Sequence, residues 1–251
     1  MADIGADFTR RLLVDAGIGA GMRVLDIGCG GGDVTLLAGI LVGEGGEVVG
    51  VDRELGPLAT ARDRARERQL PNVRFMQGDL EALSAELGMF DAVIGRRVLM
   101  YQPDAVRAVQ QIAYSVRPGG LVVFQEHDAT MVPASVVPMP LHRQVQGWIQ
   151  RTVEREGADV HMGFGLYAKL TEAGLTVEHV RAEAIVQTPA ARYAVAGIVR
   201  AILPRIIRQG IATEDEVDID TLDQRLDGER TNTNATYVGD MMFGAWARKP
   251  G

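Results

Sequence analysis

The chain is expected to fold as a doubly wound α/β sheet with a helical cover. Three observations predict it. Short apolar runs alternate with amphipathic segments as far as about residue 127, the pattern of successive βαβ units in a parallel sheet. The first apolar run leads directly into a glycine cluster, Gly28-Cys29-Gly30-Gly31-Gly32, as a strand–turn–helix junction does. The length of 251 residues suits one such domain with additions, because single α/β domains reach about 250 residues.

In order along the chain, residues 5–18 carry Phe8, Leu12, Leu13 and Ala16 at helical spacing. Arg23–Ile27 is a short apolar run of the kind buried on both faces of a parallel sheet. After the glycines, Asp33–Leu41 reads as a helix, Gly43–Gly46 as a turn and Glu47–Val51 as a second strand ending in Asp52. A charged amphipathic helix covers 54–69 and is broken by Pro71-Asn72. Val73–Met76 and Phe90–Ile94 are the third and fourth strands. Pro103 is expected in the first turn of a helix running to about Val116. Pro118-Gly119-Gly120 reads as a turn and Leu121–Gln125 as a fifth strand.

The alternation then weakens. Pro133, Pro138 and Pro140 mark a turn region before a helix near 141–156. Phe164–Ala173 is a helix stopped by Gly174, and Leu175–Val186 is a strand. Residues 190–209 look helical with a break near Pro204, 213–229 are acidic and helical, and Met241–Ala247 is a final strand.

Composition narrows the function. Hydrophobic residues at 47% and charged residues at 24% supply an ordinary globular core. A net charge of −7 with no basic tail argues against a nucleic-acid partner, which calls for a cationic footprint. The lone Cys29 allows no internal disulfide and reads as a packed loop residue in a reducing compartment. The N-terminus carries no apolar signal-peptide core. No segment offers the roughly 20 apolar residues of a membrane span. A cytoplasmic protein is expected. The four histidines and many carboxylates form no compact ligand motif, so no metal is expected.

The strongest motif is Val24-Leu25-Asp26-Ile27-Gly28-Cys29-Gly30-Gly31-Gly32-Asp33. Glycines let a ligand approach the main chain, and the helix start offers free N–H groups. A dinucleotide loop wants a third glycine where Asp33 stands, and a pyrophosphate there would meet a like charge. A ligand with a zwitterionic amino-acid end meets no such repulsion. Asp52, closing the second strand, is placed to accept two ribose hydroxyls. Asp79 follows the third strand, where a carboxylate can accept an adenine amino group.

With VLDIGCGGGDVT, VVGVD, GDLEAL, FDAVIGRRVLMYQPD and SVRPGGLVVFQEHD in this order over about residues 20–128, the chain resembles the class I methyltransferases that use S-adenosylmethionine (SAM). The similarity is to their small-molecule, ubiquinone/menaquinone-type branch. The resemblance implies a Rossmann-like seven-stranded sheet of order 3-2-1-4-5-7-6 with an antiparallel last strand. It implies a single domain over 1–251, with a SAM-binding core at 20–128 and substrate-cover insertions and helices at 131–240. Carried onto this sequence, it sets Asp26, Gly28 and Gly30 around the methionine moiety, Asp52 at the ribose, Arg53 beside the adenine, Asp79 and Leu80 on the adenine, and Arg96 at the amino-acid end.

Ligands of doubly wound sheets lie beyond the carboxyl ends of the strands. His127 is the general-base candidate, since an imidazole titrates near neutral pH, with Glu126 or Asp128 as its orienting carboxylate. Tyr101, Glu126, His142 and Trp148 are the substrate candidates. The expected reaction is methyl transfer to an O, N or C nucleophile of a small molecule in bacterial biosynthesis or tailoring, releasing S-adenosylhomocysteine (SAH), by a monomer or homodimer. Two alternatives stay open: a protein that uses SAM without transferring its methyl group, and a nicotinamide-dependent oxidoreductase.

Overall fold

The computed structural model describes residues 4–79, 87–128, 130–131 and 134–251. Its strands are β1 Arg23–Ile27, β2 Glu47–Asp52, β3 Val73–Gln77, β4 Phe90–Arg96, β5 Val116–Asp128, β6 Thr176–Gln187 and β7 Tyr237–Arg248. They form one sheet in the order β3-β2-β1-β4-β5-β7-β6. The pairs β2–β3, β1–β2, β1–β4 and β4–β5 are parallel. Gly119 N–H donates to Lys249 O at 2.9 Å and Lys249 N–H to Gly120 O at 3.0 Å, so β7 runs antiparallel to β5. This is the topology that the resemblance implies.

Among the described residues the α-helices are α1 Ile4–Asp15, α2 Asp33–Val42, α3 Leu55–Glu67, α4 Ala105–Tyr114, α5 Pro140–Arg155, α6 Met162–Glu172, α7 Val195–Arg208, α8 Glu214–Val217 and α9 Leu222–Thr233. The chain forms two compact units. One holds Thr9–Glu126, Met162–Arg181 and Phe243–Gly251; the other holds Met1–Phe8, His127–His161 and Ala182–Met242.

In the first unit, β1 and β2 are buried apolar runs, as strands covered on both faces must be. Leu36, Leu58, Ala61 and Phe75 pack with Cys29 against one sheet face. Parallel register sets Ile27 opposite Val51 and Gly95, and Asp52 opposite Gln77. The residues ending β1, β2, β3 and β4 therefore line one edge. In the second unit, Val145 and Trp148 of α5 pack with Val199, Ile202 and Ile206 of α7 and with Leu222 and Leu226 of α9.

Several boundaries differ from the expected ones. Asp104, not Pro103, begins α4: its carboxylate accepts from Arg107 N–H at 2.9 Å, the usual N-cap bond. The helix stops at Tyr114, and Val116 already belongs to β5. That strand absorbs the expected Pro118–Gly120 turn and continues to Asp128. Pro204 lies inside α7 without ending it. The acidic stretch is two helices, because Asp218 closes α8 in the left-handed region. A capping box between Thr213 and Glu216 opens α8. No described helix is long and apolar enough to cross a membrane.

Candidate active site

The loop between β1 and α2 is shaped by its glycines. Gly28 sits at φ +61°, and a Cβ there would meet Val98 Cγ2 at 2.7 Å. Gly32 sits at φ +83°, where a Cβ would touch Ala61 and Phe75 at 3.0 Å. Both positions combine a left-handed backbone with close approach, which only glycine tolerates without strain. A Cβ on Gly30 would meet nothing within 4 Å, so the loop's main chain is open there to a ligand.

Asp52 ties this loop to the second strand. Its Oδ2 accepts from Gly30 N–H at 2.8 Å and its Oδ1 from Glu54 N–H at 3.0 Å. A carboxylate has about four lone-pair sites, so two remain for a ligand's hydroxyls. Gly78 N–H donates to Asp52 O at 3.0 Å, and Gln77 Nε2 donates to Arg53 O at 2.9 Å. The ends of β2 and β3 thus lie side by side, with Arg53 and Asp79 both exposed. Leu80 lies outside the described residues.

The charges behind the loop are arranged in two layers. Asp26 is buried, and its Oδ2 accepts from Thr35 Oγ1 at 2.6 Å. Burial pushes its pKa up to about 7, against the pull of the Thr35 bond and of Arg96. Nearer solvent, Arg64 Nη2 donates to Asp33 Oδ1 at 2.6 Å, and Arg96 Nη2 to Asp33 Oδ2 at 3.3 Å. Burial alone would raise the Asp33 carboxyl, but the two guanidiniums outweigh it and hold it below its usual range. Arg64 also donates to Gly31 O at 2.6 Å. Thr9 of α1 donates to Gln125 Oε1 at 2.7 Å and accepts from Arg96 Nη1 at 3.4 Å. Burial, with Asp26 and Asp52 nearby, pushes the Cys29 thiol well above its ordinary pKa. A thiol held protonated is a poor nucleophile.

Asp26, Gly28, Gly30, Asp52, Arg53, Asp79 and Arg96 are therefore brought together at one edge of the sheet. The sequence reasoning missed Arg64, Thr9 and Val98 as contributors. Arg64 looks like one more charge on a solvated helix face, and Thr9 and Val98 carry no motif.

The substrate candidates are divided between the two units. Tyr101 ends a short 3-10 turn, Leu99–Tyr101, after β4, and is exposed. Glu126 is fully buried, and its Oε1 accepts from Val98 N–H at 3.0 Å and Leu99 N–H at 2.8 Å. Burial raises its pKa to about 7, although those N–H groups pull it down. Alternate residues of a strand face opposite sides, so Glu126 and Asp128 point away from the face that carries His127. Asp128 Oδ1 accepts from the N–H groups of Thr130 and Met131, each at 2.9 Å, and Oδ2 lies 3.2 Å from His161 Nδ1. His127 is buried. In the second unit, His142 Nδ1 lies 2.7 Å from Glu229 Oε2, with its ring 4.8 Å from that of Tyr237. Trp148 is part of that unit's apolar core.

The model of a methyltransferase domain family matches residues 18–162. A ubiquinone biosynthesis O-methyltransferase of Albidiferax ferrireducens is 40% identical over 106 residues, which are 42% of this chain and 41% of that protein. The chain thus spans about two-fifths of the length of the curated relatives it matches. Among solved structures, a putative methyltransferase of Bacillus halodurans aligns with a TM-score of 0.65 at 17% identity, covering 98% of this chain and 100% of that one. A Haemonchus contortus phosphoethanolamine N-methyltransferase in complex with SAM aligns with a TM-score of 0.60 at 18% identity, over 98% of this chain and 53% of that one.

Proposed function

The chain belongs to the methyltransferase domain family, whose cofactor is SAM, and from that premise we propose that it transfers a methyl group from SAM to a nucleophilic atom of a small molecule. The observation that carries the reading is the carboxylate of Asp52 bonded to Gly30 N–H at 2.8 Å, beside a glycine whose front is open. The residues fit SAM. The open main chain at Gly30 suits the methionine end, Arg96 offers a cation to its carboxylate, and Asp52 has lone pairs left for the ribose diol. Arg53 and Asp79 are the adenine-side residues. Bound there, SAM supplies an electrophilic sulfonium methyl group.

The protein's share of the work is positioning. Holding donor and acceptor in line supplies much of the rate of a two-substrate reaction. His127 is the group assigned to remove the acceptor's proton, and Tyr101 the residue assigned to face the substrate. The relative's name supports an oxygen acceptor; nitrogen and carbon acceptors are the other outcomes of a product analysis. The same reading assigns the chain to the cytoplasm as a monomer or homodimer, acting on a small molecule and not on nucleic acid.

Calorimetric titration with SAM and SAH, against NADH, tests the cofactor. Micromolar binding of SAH without NADH binding supports the assignment, and binding of NADH alone rejects it. Replacing His127 with Ala is expected to leave SAH affinity unchanged and to lower kcat by roughly a hundredfold, the usual scale of general-base catalysis. Full turnover in His127→Ala rejects the proton-transfer role.

A further inference from the structure

The turn after β4 is held from outside itself. Arg97 lies at φ +57°, a left-handed region that strains a residue bearing a side chain. Such a conformation persists where neighbouring bonds over-determine it. Here Arg97 N–H donates to Gln125 O at 2.9 Å, and the next two N–H groups, of Val98 and Leu99, both donate to Glu126 Oε1. The turn thus hangs from two consecutive residues of β5.

The second oxygen of Glu126 is buried and has no hydrogen-bond partner among the described residues. A buried, half-satisfied carboxyl is costly, and an apolar side chain there would avoid the cost. What the carboxyl achieves is visible in the loop it grips. Val98 lies directly over Gly28, with only 2.7 Å between its Cγ2 and the place where a Gly28 Cβ would stand. Gly28 begins the loop whose Gly30 N–H meets Asp52.

We propose that Glu126 is a positioning residue for the cofactor site: it clamps the main chain of Val98 and Leu99, and the clamped Val98 sets how closely a ligand approaches Gly28. The proposal rests on the cofactor reading above. It demands only an acceptor oxygen at the right reach. A proton on the unpartnered oxygen leaves Oε1 free to accept, so the clamp holds with the carboxyl neutral or ionised. Glutamine offers the same acceptor at the same length. Aspartate keeps the charge but is one methylene too short.

The test is SAH affinity by calorimetry, with the Tm of the cofactor-free protein, for the wild type, Glu126→Gln, Glu126→Asp and Glu126→Ala. Glu126→Gln is expected to bind SAH within about threefold of the wild type, and the shorter side chains to lose roughly tenfold or more. The reverse order, with Glu126→Asp spared and Glu126→Gln impaired, would mean that charge matters more than reach and would overturn the proposal. A lowered Tm with unchanged SAH affinity in folded Glu126→Asp would also overturn it, by showing a purely structural role. Glu126→Asp carries the test if Glu126→Ala does not fold. A wild type that fails to bind SAH rejects the cofactor reading and the proposal together. Equal binding by the wild type and every variant rejects the proposal alone.

Discussion

Asp52 holds two main-chain N–H groups, at Gly30 and Glu54, with one carboxylate. It is a turn-former and a ligand candidate at once, and the two roles use different lone pairs. Asp52→Ala is expected to weaken SAM binding by roughly ten- to a hundredfold, since it removes charge-assisted bonds to the ligand and loosens the Gly30 main chain. Calorimetry on the purified variant measures this, and unchanged affinity removes the ribose assignment. Asp52 was legible in the sequence because a carboxylate closing a buried strand stands out. In the sequence Glu126 reads as a substrate residue or as an orienting carboxylate for His127, and its grip on the turn after β4 is not legible there. Its partners are the main-chain N–H groups of Val98 and Leu99, and main-chain groups leave no mark on a sequence.

Elements show the same division. β1, β2 and β4 were readable because a strand buried on both faces is a mostly apolar run, even where β1 carries the buried Asp26. β5 was misjudged at both ends, since Pro118-Gly119-Gly120 has turn composition and yet pairs with Lys249. That pairing lies 129 to 130 residues away along the chain, beyond any local pattern. In α5 the N-terminal cap is likewise distant. Met139 gives no side-chain cap; Glu229 of α9 accepts from Leu141 N–H and His142 N–H, each at 2.9 Å, and contacts His142 Nδ1. Glu229→Ala is expected to cost about 1–3 kcal/mol, read as a Tm lowered by several degrees, with Glu229→Gln intermediate. An unchanged Tm in Glu229→Ala would show that the α5 terminus finds other partners at no cost.

Across the whole molecule, two buried carboxyls set a pH dependence. Asp26 and Glu126 rise from ordinary values of 3.8 and 4.5 to about 7. Between about pH 4 and pH 7 the folded chain holds more protons than the unfolded chain, so stability falls as pH rises through that window and levels off above it. Asp33 and Glu47 are lowered and act in the opposite sense, losing stability only as pH falls through their depressed values. The cofactor-free protein is therefore expected to be more stable at pH 5.5 than at pH 8, by on the order of a few kcal/mol. Urea unfolding at both values measures this, and Glu126→Gln should flatten the difference. An identical midpoint and slope at the two pH values would contradict the burial of both groups.

The sheet order has a consequence for how the chain is made. β7 follows β6 in the chain but lies between β5 and β6 in the sheet. A ribosome releases β6 before the strand that joins it to the sheet exists. Until Tyr237–Arg248 emerges, β5 presents a bare edge and β6 has no neighbour in the sheet, a state open to mispairing with other nascent chains. The five parallel strands β3, β2, β1, β4 and β5 can assemble as the chain is synthesised, whereas the last two strands enter together, after translation has passed β7.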